Sequence, residues 1–512
     1  MFVRTYAGTI SGIDALPVEV EVNVSGGALG LYLVGLPDNA VKESQERIRA
    51  AFGNSQYKMS SKKIVVNLAP ADLRKEGTAF DLPIAIGILA GTEQISAELL
   101  PTTMLIGELS LDGGVKAVKG VLPMVDRARR EGLRRVILPA DNAVEGAVVE
   151  GIDVIPVGSL AEAAGYLNGF VDIAPVRHVT RAEEESAMNR YAEDFADVRG
   201  QANVKRALEI AAAGGHNVIM IGAPGSGKTM LARRLPTILP PMSVDEALEC
   251  TKIHSVAGKL GAASGLLVCR PFRAPHHLTS QVALIGGGQS PHPGEVSLAH
   301  NGVLFMDELP EFGRNALEVL RQPLEERKIT VSRARYSVEY PANFTLVAAM
   351  NPCPCGFYNH PSRECTCSRS AVHHYMSRIS GPLLDRIDLH IEVTPVSISE
   401  MTSDRSEEPS AVIRERVMRA REIQQRRFAG TGVYTNSMMN SRMLREYCVL
   451  DAGARGLLER AMDRLSLSAR AYDRIVKVAR TIADLEGAAD IGAAHISEAI
   501  NYRTLDRDGW GK

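Results

Sequence analysis

The 512-residue chain has no long hydrophobic run, no net charge to speak of, few cysteines and no internal repeat. Its longest apolar stretch, around Leu82 to Leu89, falls far short of the roughly 20 residues of a membrane span, so no membrane partner is expected. Neither end carries a targeting pattern, which points to the cytoplasm. With 58 Lys and Arg against 60 Asp and Glu, the net charge is −2. Any contact with nucleic acid must therefore come from a local basic surface. Of seven cysteines, Cys250, Cys269 and Cys448 are scattered, whereas Cys353, Cys355, Cys365 and Cys367 lie together. In a reducing compartment such clustering points to metal before disulfide.

Two motifs carry the chemistry. Gly222, Ala223, Pro224, Gly225, Ser226, Gly227, Lys228 and Thr229 form a complete G-x-x-x-x-G-K-[ST] loop. It follows an apolar strand (218–221) and precedes a helical run (230–235), the context this motif requires. Backbone N–H groups of such a loop close around phosphates, Lys228 reaches the β and γ phosphates, and the Thr229 hydroxyl holds Mg²⁺. The second motif is the apolar strand Val303-Leu-Phe-Met306 followed by Asp307 and Glu308. Asp307 is expected to complete the Mg²⁺ shell and Glu308 to polarise the attacking water. Together the motifs imply binding and hydrolysis of ATP. The step from Lys228 to Asp307 is 79 residues, long for a simple core, and implies an inserted element.

At this length about three domains are expected. The reading is α/β multidomain. Residues 1–172 alternate strand signals (18–24, 63–68, 135–139, 153–157) with a charged amphipathic helix at 39–52. Residues 173–197 are polar, as in a linker. The ATPase core spans 198–396, opening on a short helix at 201–213. Residues 397–512 read as helices at 412–428, 441–447, 453–465, 468–486 and 493–503.

Val198-Arg-Gly-Gln201, the two nucleotide motifs, and the run Arg270-Pro-Phe-Arg-Ala-Pro-His-His277, Gly286-Gly-Gly288 and Pro293-Gly-Glu-Val-Ser-Leu-Ala-His300 closely resemble the magnesium-chelatase-like AAA+ ATPases, in the YifB/ComM branch. The resemblance covers essentially the whole chain. It implies an AAA+ P-loop α/β core with a hairpin inserted in its helix 2, a C-terminal helical lid, and an N-terminal Lon-protease-like (S5-type) domain. It also implies roles for further residues. Asn351, after the strand Thr345 to Met350, resembles sensor 1. Arg386, in Leu383-Leu-Asp-Arg-Ile-Asp388, resembles an arginine finger that serves the ATP of a neighbouring subunit in a homo-hexamer. Arg470 resembles sensor 2, with Arg474 as the competing choice. In the Lon-like segment the serine position falls on Ala79 and the lysine position on Leu122, which cannot form or activate a nucleophile. Peptidase activity is therefore not expected.

The spacing C-x-C…C-x-C of Cys353, Cys355, Cys365 and Cys367 suits a closed tetrahedral structural Zn²⁺ site; His360 could replace one thiol, and reduced thiols or a transient disulfide remain open. The pair His276 and His277 has no accompanying ligand cluster and reads as a structural or pore-loop element. Residues 328–340 alternate as a hairpin with Arg333 and Arg335 near its tip, and the resemblance implies that such a hairpin before sensor 1 enters the pore of a ring, making Lys328, Arg333 and Arg335 candidate DNA contacts; a surface hairpin with solvated charges is the other reading. The expected function is an ATP-driven hexameric motor on single-stranded or branched DNA, a helicase promoting branch migration in natural transformation or homologous recombination, with recombination proteins as possible partners. The alternative is a magnesium-chelatase-like ATPase that remodels a protein partner.

Overall fold

Val18, Val20, Val22 and Val24 alternate along the strand Asp14–Ser25 and are all buried, because a period of two puts them on one face of a sheet. This strand pairs antiparallel with Phe2–Ser11 and with Lys63–Ala69. In the computed structural model, which describes residues 1–27, 30–177, 191–261, 265–288, 291–333, 336–358, 360, 362–396, 406–465 and 467–503, these strands belong to a seven-stranded mixed sheet. Its order is Gly30–Val34, Lys63–Ala69, Asp14–Ser25, Phe2–Ser11, Thr103–Leu105, Arg135–Pro139 and Asp153–Val157. The longest apolar run of the sequence becomes the helix Asp81–Gly91, every residue of which is buried. A helix apolar all round has no face for solvent and goes to the interior. Buried Asp81 is held by Arg47 at 2.6 Å, from the helix Asn39–Asn54. Ala79 and Leu122 pack in the same apolar cluster, with Met104, Val125 and Leu138.

By packing, the chain divides into two units: Met1–Ala187 with Ser243–Val268 and Pro291–Pro293, and Met188–Met242 with Cys269–Ser290 and Gly294–Lys512. The 198–396 stretch is thus shared between units. The helix Val244–Val256, capped reciprocally by Ser243 and Glu246, lies in the first unit. Its Lys252 reaches Asp126 at 2.7 Å and Asp14 at 3.3 Å, and its Ser255 hydroxyl donates to Glu145 at 2.5 Å. A buried ammonium without such carboxylates would be costly, so these contacts specify where the helix goes.

The second unit is built on a five-stranded parallel sheet in the order Phe272–Arg273, Val303–Met306, Thr345–Met350, Val218–Ile221, Leu389–Glu392. The three central strands are fully buried, as expected for near-continuous apolar strands covered on both faces. C-terminal to the sheet come the helices Ser410–Arg427, Ser441–Tyr447, Ala452–Leu465, Ala469–Glu486 and Ala493–Asn501. The helix Ala469–Glu486 is tied to the sheet by charge. Its Arg474 lies 2.7 Å from Asp388, which is 1% exposed and also accepts from the Asn217 N–H at 3.0 Å. Burial opposes ionisation of Asp388, but Arg474 and the hydrogen bonds outweigh it and hold the carboxyl well below its ordinary range. Among the described residues, no helix is long and apolar enough to cross a membrane.

Candidate functional site

The strand Val218–Ile221 runs directly into the loop 222–227, and the helix Lys228–Ile238 starts where the loop ends. Gly225 and Gly227 take φ of 79° and 92°, which side chains resist and glycine tolerates. At Gly222 a Cβ would come within 2.4 Å of the Val393 carbonyl oxygen, so the first glycine is demanded by close packing. Lys228 is only 8% exposed. Its ammonium donates to the carbonyls of Gly222 at 2.6 Å and Ala223 at 3.0 Å, and to Asn351 Oδ1 at 3.3 Å. Burial pushes its pKa down, while Asp307 and Glu308 pull it back up. The Ser226 hydroxyl is buried with no partner among the described residues. An inward-facing ammonium and an orphaned hydroxyl at a helix N-terminus fit an anionic polyphosphate.

Asp307 and Glu308 follow the buried strand Val303–Met306, separated from Val218–Ile221 in the sheet by Thr345–Met350. Thr229 Oγ1 donates to Asp307 Oδ2 at 2.7 Å. These two oxygen donors, brought together from the helix Lys228–Ile238 and the end of the strand Val303–Met306, fit a Mg²⁺ ion, which takes few protein ligands and keeps several waters. Glu308 takes a left-handed backbone, φ 53° and ψ 46°, and its carboxylate lies 3.1 Å from His277 Nδ1. The structure thus brings together Lys228, Thr229, Asp307, Glu308 and Asn351 at the ends of three adjacent parallel strands, the usual place for a ligand in such sheets.

Arg386 and Arg470 take other partners. Arg386 is 7% exposed, donates to the Pro382 carbonyl at 2.5 Å and is ion-paired with Glu325. Arg470 is exposed and lies 3.5 Å from Asp385, and the competing Arg474 is committed to Asp388. The histidine pair read as a structural or pore-loop element has a more definite position, with His277 beside Glu308. No sequence signal pointed to this position, since the strand before the pair, Phe272–Arg273, is too short to leave a pattern.

The four clustered thiols converge. Sγ–Sγ distances are 3.3 Å for Cys353 and Cys355 and 3.6 Å from Cys365 to each of them, and all four sulfurs lie within 4.8 Å of one another. Four thiol groups at this separation suit tetrahedral coordination of a soft divalent ion. The loop also touches the phosphate loop. Gly356, at φ 85°, faces Pro224 so closely that a Cβ would come within 2.6 Å of Pro224 Cδ.

The hairpin Lys328–Arg333 and Tyr336–Pro341 pairs in register from Lys328–Pro341 to Arg333–Tyr336. Its inner face, Ile329, Val331 and Tyr340, is buried. Lys328 is ion-paired with Glu339 at 2.9 Å, which partly neutralises it. Arg333 is the last paired residue before the tip, and Arg335 lies outside the described residues.

Comparison with known proteins places this geometry in a family context. Residues 194–401 match the model described as magnesium chelatase, subunit ChlI; residues 20–142 match subunit ChlI of Mg-chelatase; and residues 407–503 match the ChlI C-terminal model. The chain is 45% identical over 505 residues to the competence protein ComM of Haemophilus influenzae, covering 98% of this chain and 97% of ComM. It is 44% identical over 500 residues to YifB of Escherichia coli, covering 97% and 96%, and 43% identical over 500 residues to YifB of Salmonella typhimurium, again covering 97% and 96%.

Proposed function

Since the chain belongs to the magnesium-chelatase-like family of ComM and YifB, we propose that it is an ATP-hydrolysing motor that acts on DNA. The observation that carries the ATPase part is the convergence of Lys228, Thr229, Asp307 and Asn351 at the ends of adjacent strands. The DNA part rests on near-full-length similarity to a competence protein.

In this reading Lys228 gives up its loop carbonyls and Asn351 to bind the β and γ phosphates, and backbone N–H groups of 222–227 orient them. Mg²⁺, held by Thr229 and Asp307, would supply charge neutralisation at the phosphates. Glu308 accepts a proton from the attacking water, and Asn351 fixes that water or the γ-phosphate. Arg386 leaves Glu325 on assembly and serves the site of the adjacent protomer in a homo-hexamer, while Arg470 serves its own from the C-terminal helices. Lys328, Arg333 and Arg335 contact the DNA backbone without reading sequence, driving branch migration during recombination or transformation. Cys353, Cys355, Cys365 and Cys367 hold a structural Zn²⁺.

The test is ATP turnover with and without single-stranded and forked DNA. Stimulation by DNA together with strand displacement is expected, and Glu308→Gln should bind ATP without turning it over. Turnover that no DNA stimulates, with no strand displacement, would overturn the DNA part in favour of an ATPase that remodels a protein partner.

A further inference from the structure

A catalytic carboxylate works only if its oxygens are aimed, since a misplacement of about 1 Å can cost about 10²-fold in rate. Glu308 has little to aim it locally. It stands just past the end of its strand and its side chain is half exposed. Its backbone sits in the left-handed region at φ 53°, a conformation that costs a non-glycine residue energy and clusters at functional sites. Its own N–H is occupied by Asp307 Oδ1 at 2.9 Å. What meets its carboxylate is His277 Nδ1, 3.1 Å from Oε2.

His277 is itself fixed from two directions. Its ring lies 4.1 Å, centroid to centroid, from that of His276, and meets Phe312 edge-on at 6.5 Å. His276 is held in turn, because its Nδ1 accepts the Leu278 N–H at 3.2 Å and its carbonyl accepts the Thr279 N–H at 2.8 Å. The preceding strand is clamped by the Arg273–Glu295 pair at 2.7 and 2.8 Å. The contact is an ion-pair distance to one oxygen of Glu308, and a carboxylate, which offers only acceptors, favours an imidazole that carries a proton on the facing nitrogen. Among the described residues, no other imidazole lies within ion-pairing distance of Asp307 or Glu308.

We infer that His277 is a positioning residue for ATP hydrolysis: through Nδ1 it holds the Glu308 carboxylate in the orientation that activates water, without touching nucleotide itself. The inference rests on the ATP-hydrolysis reading above. It names a job for the histidine pair that neither nucleotide motif contains.

The experiment uses the full-length chain and separates kcat from KM. His277→Ala should lower kcat by about 10-fold to 10²-fold, with KM and the affinity for a fluorescent ATP analogue within about twofold of wild type, because the phosphate loop is untouched. Asparagine carries its amide nitrogen where Nδ1 stands and glutamine where Nε2 stands. His277→Asn should therefore recover much of the lost kcat and His277→Gln much less. In the Glu308→Gln background, adding His277→Ala should leave the residual rate unchanged, since a residue that acts through Glu308 has nothing further to lose. Wild-type kcat in His277→Ala, equal rescue by Asn and Gln, or an additive loss in the double variant would each overturn the inference. A folding defect would show instead as lost nucleotide binding in Ala, Asn and Gln alike, and would also count against it. If wild-type protein fails to hydrolyse ATP, the underlying reading fails and not this assignment alone.

Discussion

His216 and His390 are both buried, at 0% and 1% exposure. Burial holds each below its ordinary pKa; Asp388 only partly offsets this for His216, and Arg503 adds to it for His390. Neither His390 nitrogen has a partner among the described residues, and the His216 Nδ1 contact to Asp388 is long at 3.5 Å. Below the ordinary histidine value of about 6.5 the unfolded chain takes up protons that the folded chain refuses, so stability falls as the pH drops and rises again as the pH is raised. Each histidine adds a slope of up to about 1.4 kcal/mol per pH unit in that window. Urea unfolding at pH 5.5 and 7.5 should show lower stability at the acidic end, and His390→Gln should shrink the difference; an unchanged difference would remove His390 from the account. The motif around Glu308 was plain in the sequence, whereas its left-handed backbone and its contact with His277 were not, since neither depends on neighbours in the chain.

Among the elements, those bounded by strong local signals were legible. The strands Arg135–Pro139, Asp153–Val157 and Val218–Ile221 and the helix Ser441–Tyr447 lie where their patterns put them. Expected helix ends elsewhere moved by a residue or two, as at Ser410–Arg427 and Ala469–Glu486, because fraying and caps blur termini. The strand Phe272–Arg273 left no pattern, since two residues have no period. Because Gly356 abuts Pro224 of the phosphate loop, the thiol cluster and the nucleotide site share a wall. Purified protein is expected to contain about one zinc per chain, since structural sites of four thiolates bind zinc as part of folding. Cys353→Ser should lose the metal and also weaken ATP binding several-fold, measured with a fluorescent analogue. Loss of zinc with unchanged nucleotide affinity would show that the wall transmits nothing.

For the whole molecule, Arg386 serving a neighbour would make the active site a property of the assembly. Within its own chain Arg386 is buried against Glu325 and Pro382, so a role at the phosphates requires it to change partners on assembly. Mixing wild-type and Arg386→Ala subunits should lower ATP turnover more steeply than the wild-type fraction falls, because each defective finger disables the next subunit's site. A loss proportional to the variant's fraction would place the active site within one chain. The helix Val244–Val256 is encoded between the two nucleotide motifs and packs with the first unit. Its pattern announces a helix, but its destination depends on Asp14, Asp126 and Glu145, carboxylates encoded more than a hundred residues earlier.

The sequence by itself determined the phosphate loop, the acidic strand end, the four-thiol spacing and the family, because each is a matter of residue type at fixed spacing along the chain. Only the tertiary structure decided that Lys228 faces Asn351, that Thr229 meets Asp307, that His277 sits on Glu308 and that Gly356 backs onto Pro224. These contacts arise from the order in which parallel strands pair, and that order is set by burial of whole faces and not by any local pattern.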